Sequence, residues 1–164
     1  MRGVIVDEIR ATAFLAVLAC LLWAAIADVR WREIPDAVPL ALLVLYAVPA
    51  LGGAAAGVWW GALLVAGAVF AGGAGLFALG ALGGGDVKLL AATALWAGPL
   101  GTPVFLAVTA VAGGVLAAGF VLAGATRPTR GHPTHGHRSA RRTLPYAVAI
   151  AVGGLWTLTR VHGL

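Results

Sequence analysis

Two carboxylates stand out by where they lie. Asp28 closes the first long apolar run, and Asp86 follows three glycines in Gly83-Gly84-Gly85-Asp86-Val87-Lys88, between two further apolar runs. Asp36 is the last charge before Asp86, and Arg127 is the first after Lys88. An acid in membrane surroundings is costly to keep, so it marks a site of chemistry or transport. Two such acids at helix ends on one membrane face can share a proton. Coulomb repulsion hinders both from ionising, so one stays protonated as an acid while the other serves as a base. The base takes a proton from water, the water attacks a peptide carbonyl, and the acid polarises that carbonyl and helps the amine leave. Gly83 and Gly85 are expected to adopt backbone angles closed to other residues and to let an extended peptide approach. A helix starting at Asp86 would favour a carboxylate there through its dipole. This chemistry needs no metal and no organic cofactor.

Each of these residues also has a plainer reading. Asp28 could cap a helix or balance Arg30, and Asp86 could be a helix N-cap after a glycine turn. Lys88 could tune Asp86 as a nearby cation or simply snorkel to the interface. Glu33 and Asp36 could attract a basic peptide or sit in a solvated loop. His132, His135 and His137 lie among Pro, Gly and Arg, which favours a solvated loop over a metal site. Cys20 is the single cysteine, so it forms no internal disulfide and behaves as a small lipid-phase side chain.

The elements that would carry the acids follow from composition. Of the 164 residues 61% are hydrophobic and only 10% charged, more apolar surface than one water-soluble core could hide. The expectation is an all-α polytopic membrane protein, one transmembrane domain over residues 1–164 built as a bundle of about six helices. The spans fall near 8–27, 37–51, 57–80, 87–98, 103–125 and 144–159. Ala25-Ile26-Ala27 also resembles a signal-peptidase site, but Asp7 and Glu8 spoil the basic segment that should precede it. The polar stretch 28–36 is expected as a loop, in which Ile34-Pro35 turns the chain before Pro35 opens the next helix. Gly52-Gly53 divides the 49 uncharged residues from Ala37 to Gly85. Gly53, Gly57 and Gly61 recur every four residues, which suits close helix packing. The fourth span is short, roughly 20 Å of helix against about 30 Å of hydrocarbon, so Asp86 should be recessed below the surface. A tight turn is expected over Gly98-Pro99 and Gly101-Thr102-Pro103.

Orientation follows from charge. The loop 127–142 holds five arginines and three histidines and belongs in the cytoplasm. Counting spans back puts 28–36 and 81–86 on that same side and both termini outside. Asp28 and Asp86 then share the cytoplasmic face, within reach of one or two bridging waters or a peptide carbonyl. The net charge of +5 lies mostly in these loops, so topology explains it without nucleic acid.

These residues resemble the type 4 prepilin peptidases and the related preflagellin peptidases, membrane aspartic proteases with a GxGD motif. Asp28-Val29-Arg30…Ile34-Pro35 is similar to the family's first aspartate and its basic Ile-Pro loop. Gly83-Gly84-Gly85-Asp86-Val87-Lys88-Leu89 is similar to the GxGDxKL segment with the second aspartate, 58 residues on. Leu144-Pro145-Tyr146 looks like the Pro-Tyr start of the last span. The resemblance implies an aspartic endopeptidase of a bacterial inner membrane, serving type IV pilus assembly or protein secretion. It would remove short basic leaders from pilin-like precursors at the cytoplasmic face. Asp28 and Asp86 would be catalytic, with Gly83, Gly85, Lys88, Ile34, Pro35, Asp36, Pro145 and Tyr146 shaping the site or binding substrate. Asp36 stands where the family usually has Asn. The N-terminal region with paired cysteines that accompanies methyltransferase activity is absent, so peptidase activity alone is expected, as in the short forms serving Flp/Tad-type pili. Two other classes fit less well. A proton-coupled transporter would need a through-path and repeats, and a non-catalytic assembly subunit would keep its role without the aspartates.

Overall fold

The computed structural model describes residues 2–51, 59–123 and 144–162. These residues form five helices and no strand: α1 (Arg2–Trp31), α2 (Ala37–Leu51), α3 (Trp59–Ala78), α4 (Gly84–Leu122) and α5 (Tyr146–His162). The protein is an all-α membrane protein. Ala11–Trp31, Trp59–Ala78 and Gly84–Leu122 are long and apolar enough to cross a bilayer, and Ala37–Ala47 is a shorter apolar helix. The Gly52-Gly53 break, Gly57 and the loop 127–142 with its histidines lie outside the described residues.

Two boundaries differ from expectation. Helix α1 does not end at residue 27 but runs through Asp28 to Trp31, because polar side chains do not by themselves stop a helix. It stops where Arg32 turns left-handed at φ 57° and Ile34-Pro35 follows. The expected spans 87–98 and 103–125 form one helical run broken at a single residue, Gly98. Gly98 sits at φ 65° and ψ −177°, a conformation essentially reserved for glycine. Pro99 brings no N–H to the ladder there. The Thr102 hydroxyl reaches Gly98 O at 2.7 Å and Ala94 O at 3.3 Å. Residues eight apart in a straight helix stand about 12 Å from each other, so the chain bends sharply at Gly98.

In lipid, helices associate by close packing and not by escape from water. Helix α4 packs on α2, α3 and α5, and α1 packs on α2 and α5. The buried face of α1 runs Phe14, Val17, Leu21, Ala24 and then Asp28, a spacing of three and four that keeps one side of the helix inward. On α4 the residues three, four and seven beyond Asp86 are Leu89, Leu90 and Thr93, all buried. The two stripes meet over Gly154 of α5. A Cβ at Gly154 would stand 2.8 Å from Leu21 Cδ1 and 3.0 Å from Thr93 Cγ2, so only glycine lets α5 lie under both helices. Leu21 is seven residues before Asp28 and Thr93 seven after Asp86. Seven residues are about 10 Å of helix, so both acids lie the same distance along their helices from this contact. Helix α2 is tied to α4 by Trp96, whose indole N–H donates to Leu42 O at 2.9 Å and whose ring meets Tyr46 edge-on at 5.6 Å.

Candidate active site

Where α1 ends and α4 begins, the helices enclose a cavity of about 690 Å³. Asp28, Ile34, Asp36, Gly83, Gly85, Asp86 and Tyr146 all line it. Of the residues expected to act together, Pro35, Lys88 and Pro145 are not in its wall. Pro35 is exposed and accepts the Val38 N–H through its carbonyl at 2.9 Å, starting α2. Pro145 is buried at the start of α5 and accepts the Val148 N–H at 3.2 Å. Lys88 lies outside and forms an ion pair with Asp36 at 2.7 Å. Both ends of that pair are largely exposed, at 49% and 75%, which limits what it adds to stability to about 0–1 kcal/mol.

Each acid is held by one backbone N–H. Asp28 is 8% exposed, and its Oδ2 accepts the Ala147 N–H at 2.9 Å. Ala147 is the second residue of α5, and the first N–H groups of a helix have no partner within it. Asp28 therefore supplies from α1 the acceptor that α5 lacks. Asp86 is half-buried, and its Oδ2 accepts the Gly83 N–H at 3.2 Å. Helix α4 starts at Gly84 with Gly83 as N-cap, so Asp86 is neither the first residue nor the cap. It is the third residue and reaches back to the cap's N–H, as an acidic side chain does at this position. In both cases one oxygen, Oδ2, is fixed by a backbone N–H.

The glycines work differently from expectation. Gly83 has φ −77° and ψ 149°, an ordinary extended conformation, and Gly85 lies inside the helix. Neither uses angles closed to other residues; what they supply is space. A Cβ at Gly83 would stand 2.7 Å from Asp86 Oδ2, and one at Gly85 would stand 3.2 Å from Ile34 Cβ. The Ile-Pro loop thus folds over the first turn of α4 because residue 85 has no side chain. Tyr146 closes the other side, its ring against Gly113, where a Cβ would come within 3.1 Å of the phenol oxygen.

This arrangement gives two acids from separate helices, one polar cavity, and a wall of bare backbone against which an extended peptide could lie. The model of the type IV leader peptidase family matches residues 15–118, which is 104 of 164 residues and includes both acids. The chain belongs to the type IV leader peptidase family. As a member it is an integral membrane protein and a protease of the prepilin leader peptidase kind, with pilin-like precursors as substrates. Pro145 and Tyr146 fall beyond the matched region. No curated protein and no solved structure matches the chain.

Several groups at or behind the site were not singled out from sequence. The Ala147 amide is a backbone group 119 positions from Asp28 and carries no side-chain signal. The nearest hint was Pro145, which marks a helix start and hence free N–H groups. Arg32, Leu144 and the turn Gly80–Leu82 also line the cavity.

Proposed function

We propose that the protein is an aspartic endopeptidase of the bacterial plasma membrane that removes the short basic leader of pilin-like precursors of the Flp/Tad type. Asp28 and Asp86 act at the cytoplasmic face. One carboxylate takes a proton from a water held between the two, and the water oxygen bonds to the scissile carbonyl carbon. The other, protonated, donates to the carbonyl oxygen as charge develops there. The tetrahedral intermediate then breaks its C–N bond, the leaving nitrogen taking the proton held by the first carboxylate while a hydroxyl of the intermediate returns its proton to the second, so that one acid and one base remain for the next turnover. What supports this reading is that both carboxylates line one cavity, each with a single oxygen engaged by backbone. Gly83 and Gly85 give the peptide room, Ile34 and Pro35 hold the loop, and Pro145 and Tyr146 start α5 so that Ala147 can fix Asp28. Asp36 and Lys88 fasten the start of α2 to α4. The arginines of 127–142 support the cytoplasmic orientation.

The test is incubation of the purified protein in liposomes with a panel of pilin-like precursors, leader removal being scored by mass. Wild type should release a leader from at least one precursor, and the folded Asp86→Asn variant should release none. Cleavage that survives in Asp86→Asn would falsify the role given to that residue.

A further inference from the structure

Among the described residues, the cavity of the two acids is lined by four carboxylates, of Asp28, Glu33, Asp36 and Asp86, and by one cation, Arg32. The two acids have matched backbone partners. Each accepts one N–H through Oδ2 at the start of a helix, Asp28 from Ala147 of α5 and Asp86 from Gly83 at the head of α4. A helix start favours a carboxylate in both places alike. These contacts give no reason for one acid to be the base and the other the proton donor. The charged and titratable groups around them do. Asp36 is paired at 2.7 Å with Lys88, which lies outside the wall. Glu33 adds a carboxylate from the loop, and Tyr146 adds a phenol from α5. Arg32 stands four residues past Asp28, and its charge reaches the Asp28 carboxylate.

The backbone of Arg32 is unusual as well. It is the non-glycine residue with a positive φ, 57°, among those described, and its N–H donates to Asp28 O at 3.0 Å across the last turn of α1. Glycine or asparagine takes that conformation with less strain. Strained residues persist where their surroundings fix them, and they gather at active sites. Here the chain turns out of α1 at a residue whose side chain still lines the cavity. Arg30, two residues earlier, has its guanidinium over the Trp31 ring at 5.7 Å and is not in the wall.

We propose that Arg32 is a positioning residue that divides the labour of the pair: its guanidinium keeps Asp28 charged as the base, which leaves the shared proton on Asp86 as the acid. The proposal deepens the peptidase reading above and rests on it. A cation beside one carboxylate favours its charged form, and that charge disfavours ionisation of a second carboxylate nearby. Asp28 takes the proton of the water as its oxygen bonds to the carbonyl carbon, and Asp86 protonates the carbonyl oxygen. When the C–N bond breaks, the leaving nitrogen takes the proton from Asp28, and a hydroxyl of the intermediate returns one to Asp86. Arg32 gives up no proton in either step.

Three variants separate charge from backbone. Arg32→Asn removes the cation but tolerates the left-handed turn, Arg32→Lys keeps the charge, and Arg30→Gln removes a cation outside the cavity. The first readout needs no cleavage. In the Asp86→Asn background, in liposomes and with isotope-labelled aspartate, the infrared band of the Asp28 carboxyl is followed against pH and assigned by its loss in Asp28→Asn. Arg32→Asn should move its midpoint up by at least about one pH unit, Arg32→Lys by less than half as much, and Arg30→Gln not at all. The second readout is the pH profile of cleavage with Asp86 intact. A base works only when charged, so losing Arg32 moves the acid limb of kcat to higher pH. Arg32→Asn should be about tenfold slower than wild type on that limb and within about threefold of it at the maximum, with most of the difference recovered in Arg32→Lys. An Asp28 midpoint unmoved in Arg32→Asn, or moved equally in Arg30→Gln, would overturn the proposal, and so would a loss of cleavage equal at every pH. The infrared titration uses no substrate, so failure of this role for Arg32 and failure of the peptidase reading give different results.

Discussion

A methyl group at residue 83 would meet Asp86 Oδ2 at 2.7 Å, and that oxygen is the one bonded to the Gly83 N–H. Gly83→Ala must therefore push the carboxylate off its backbone donor while leaving the helix able to form, since Ala is at home at φ −77° and ψ 149°. Displacement of a reacting group by about 1 Å can cost about 100-fold in rate. Cleavage by Gly83→Ala should fall by about 10- to 100-fold with the melting temperature little changed, measured by kcat/KM beside a thermal melt. At this scale the sequence pointed to two acids, both of which line one cavity, and said little about what holds each of them. Asp28 and Asp86 are legible because charges are rare in this chain and both stand beside a turn signal. The Ala147 amide and the pairing of Lys88 with Asp36 are not, because they join positions 119 and 52 residues apart that nothing local connects.

Helix α4 depends on two glycines of different kinds. Gly98 has open space around it but a positive φ, so Gly98→Ala carries backbone strain alone, about 1–3 kcal/mol. Gly154 of α5 has an ordinary helical backbone but no room, since Leu21 and Thr93 crowd it at 2.8 and 3.0 Å. Gly154→Ala should cost a similar amount, about 1–3 kcal/mol by overpacking. The two should differ in activity. Gly154→Ala parts the α1 and α4 stripes two turns from the acids, so it should lower cleavage per folded molecule. Gly98→Ala acts twelve residues beyond Asp86 and should spare it. Thermal melts in detergent, read beside kcat/KM, check both. The sequence predicted a turn over residues 98–103 because four glycine and proline residues crowd there, and the chain breaks at only one of them, Gly98. The continuation of α1 past residue 27 was hidden because Asp28 and Arg30 read as loop by composition.

Across the whole molecule, composition alone established an all-α membrane protein, because so little polar surface is available to face water. The order of the helices followed from breaks in the apolar pattern, whereas the wall of the cavity depends on which helices pack, and a single chain's periodicity does not carry that information. The orientation we propose puts the two acids on the same side as the basic stretch 127–142. With Cys20→Ser as background, His135→Cys should react with a membrane-impermeant thiol reagent only in inverted vesicles. Labelling from the outside of intact cells would place the aspartates away from the cytoplasm and contradict that part of the account.

The central claim is that Asp28 and Asp86 work as one unit on one water. The measurement that bears on it most directly is a double-mutant cycle of single-turnover cleavage with Asp28→Asn, Asp86→Asn and the combined variant. Asparagine keeps an oxygen for the Ala147 and Gly83 N–H donors, so each variant should fold. Each single change should cost at least about 100-fold, and the combination should cost no more than the worse single, because a pair that acts jointly fails completely when either member is lost. Losses that multiply in the double variant, or substantial cleavage in either single one, would contradict the shared mechanism.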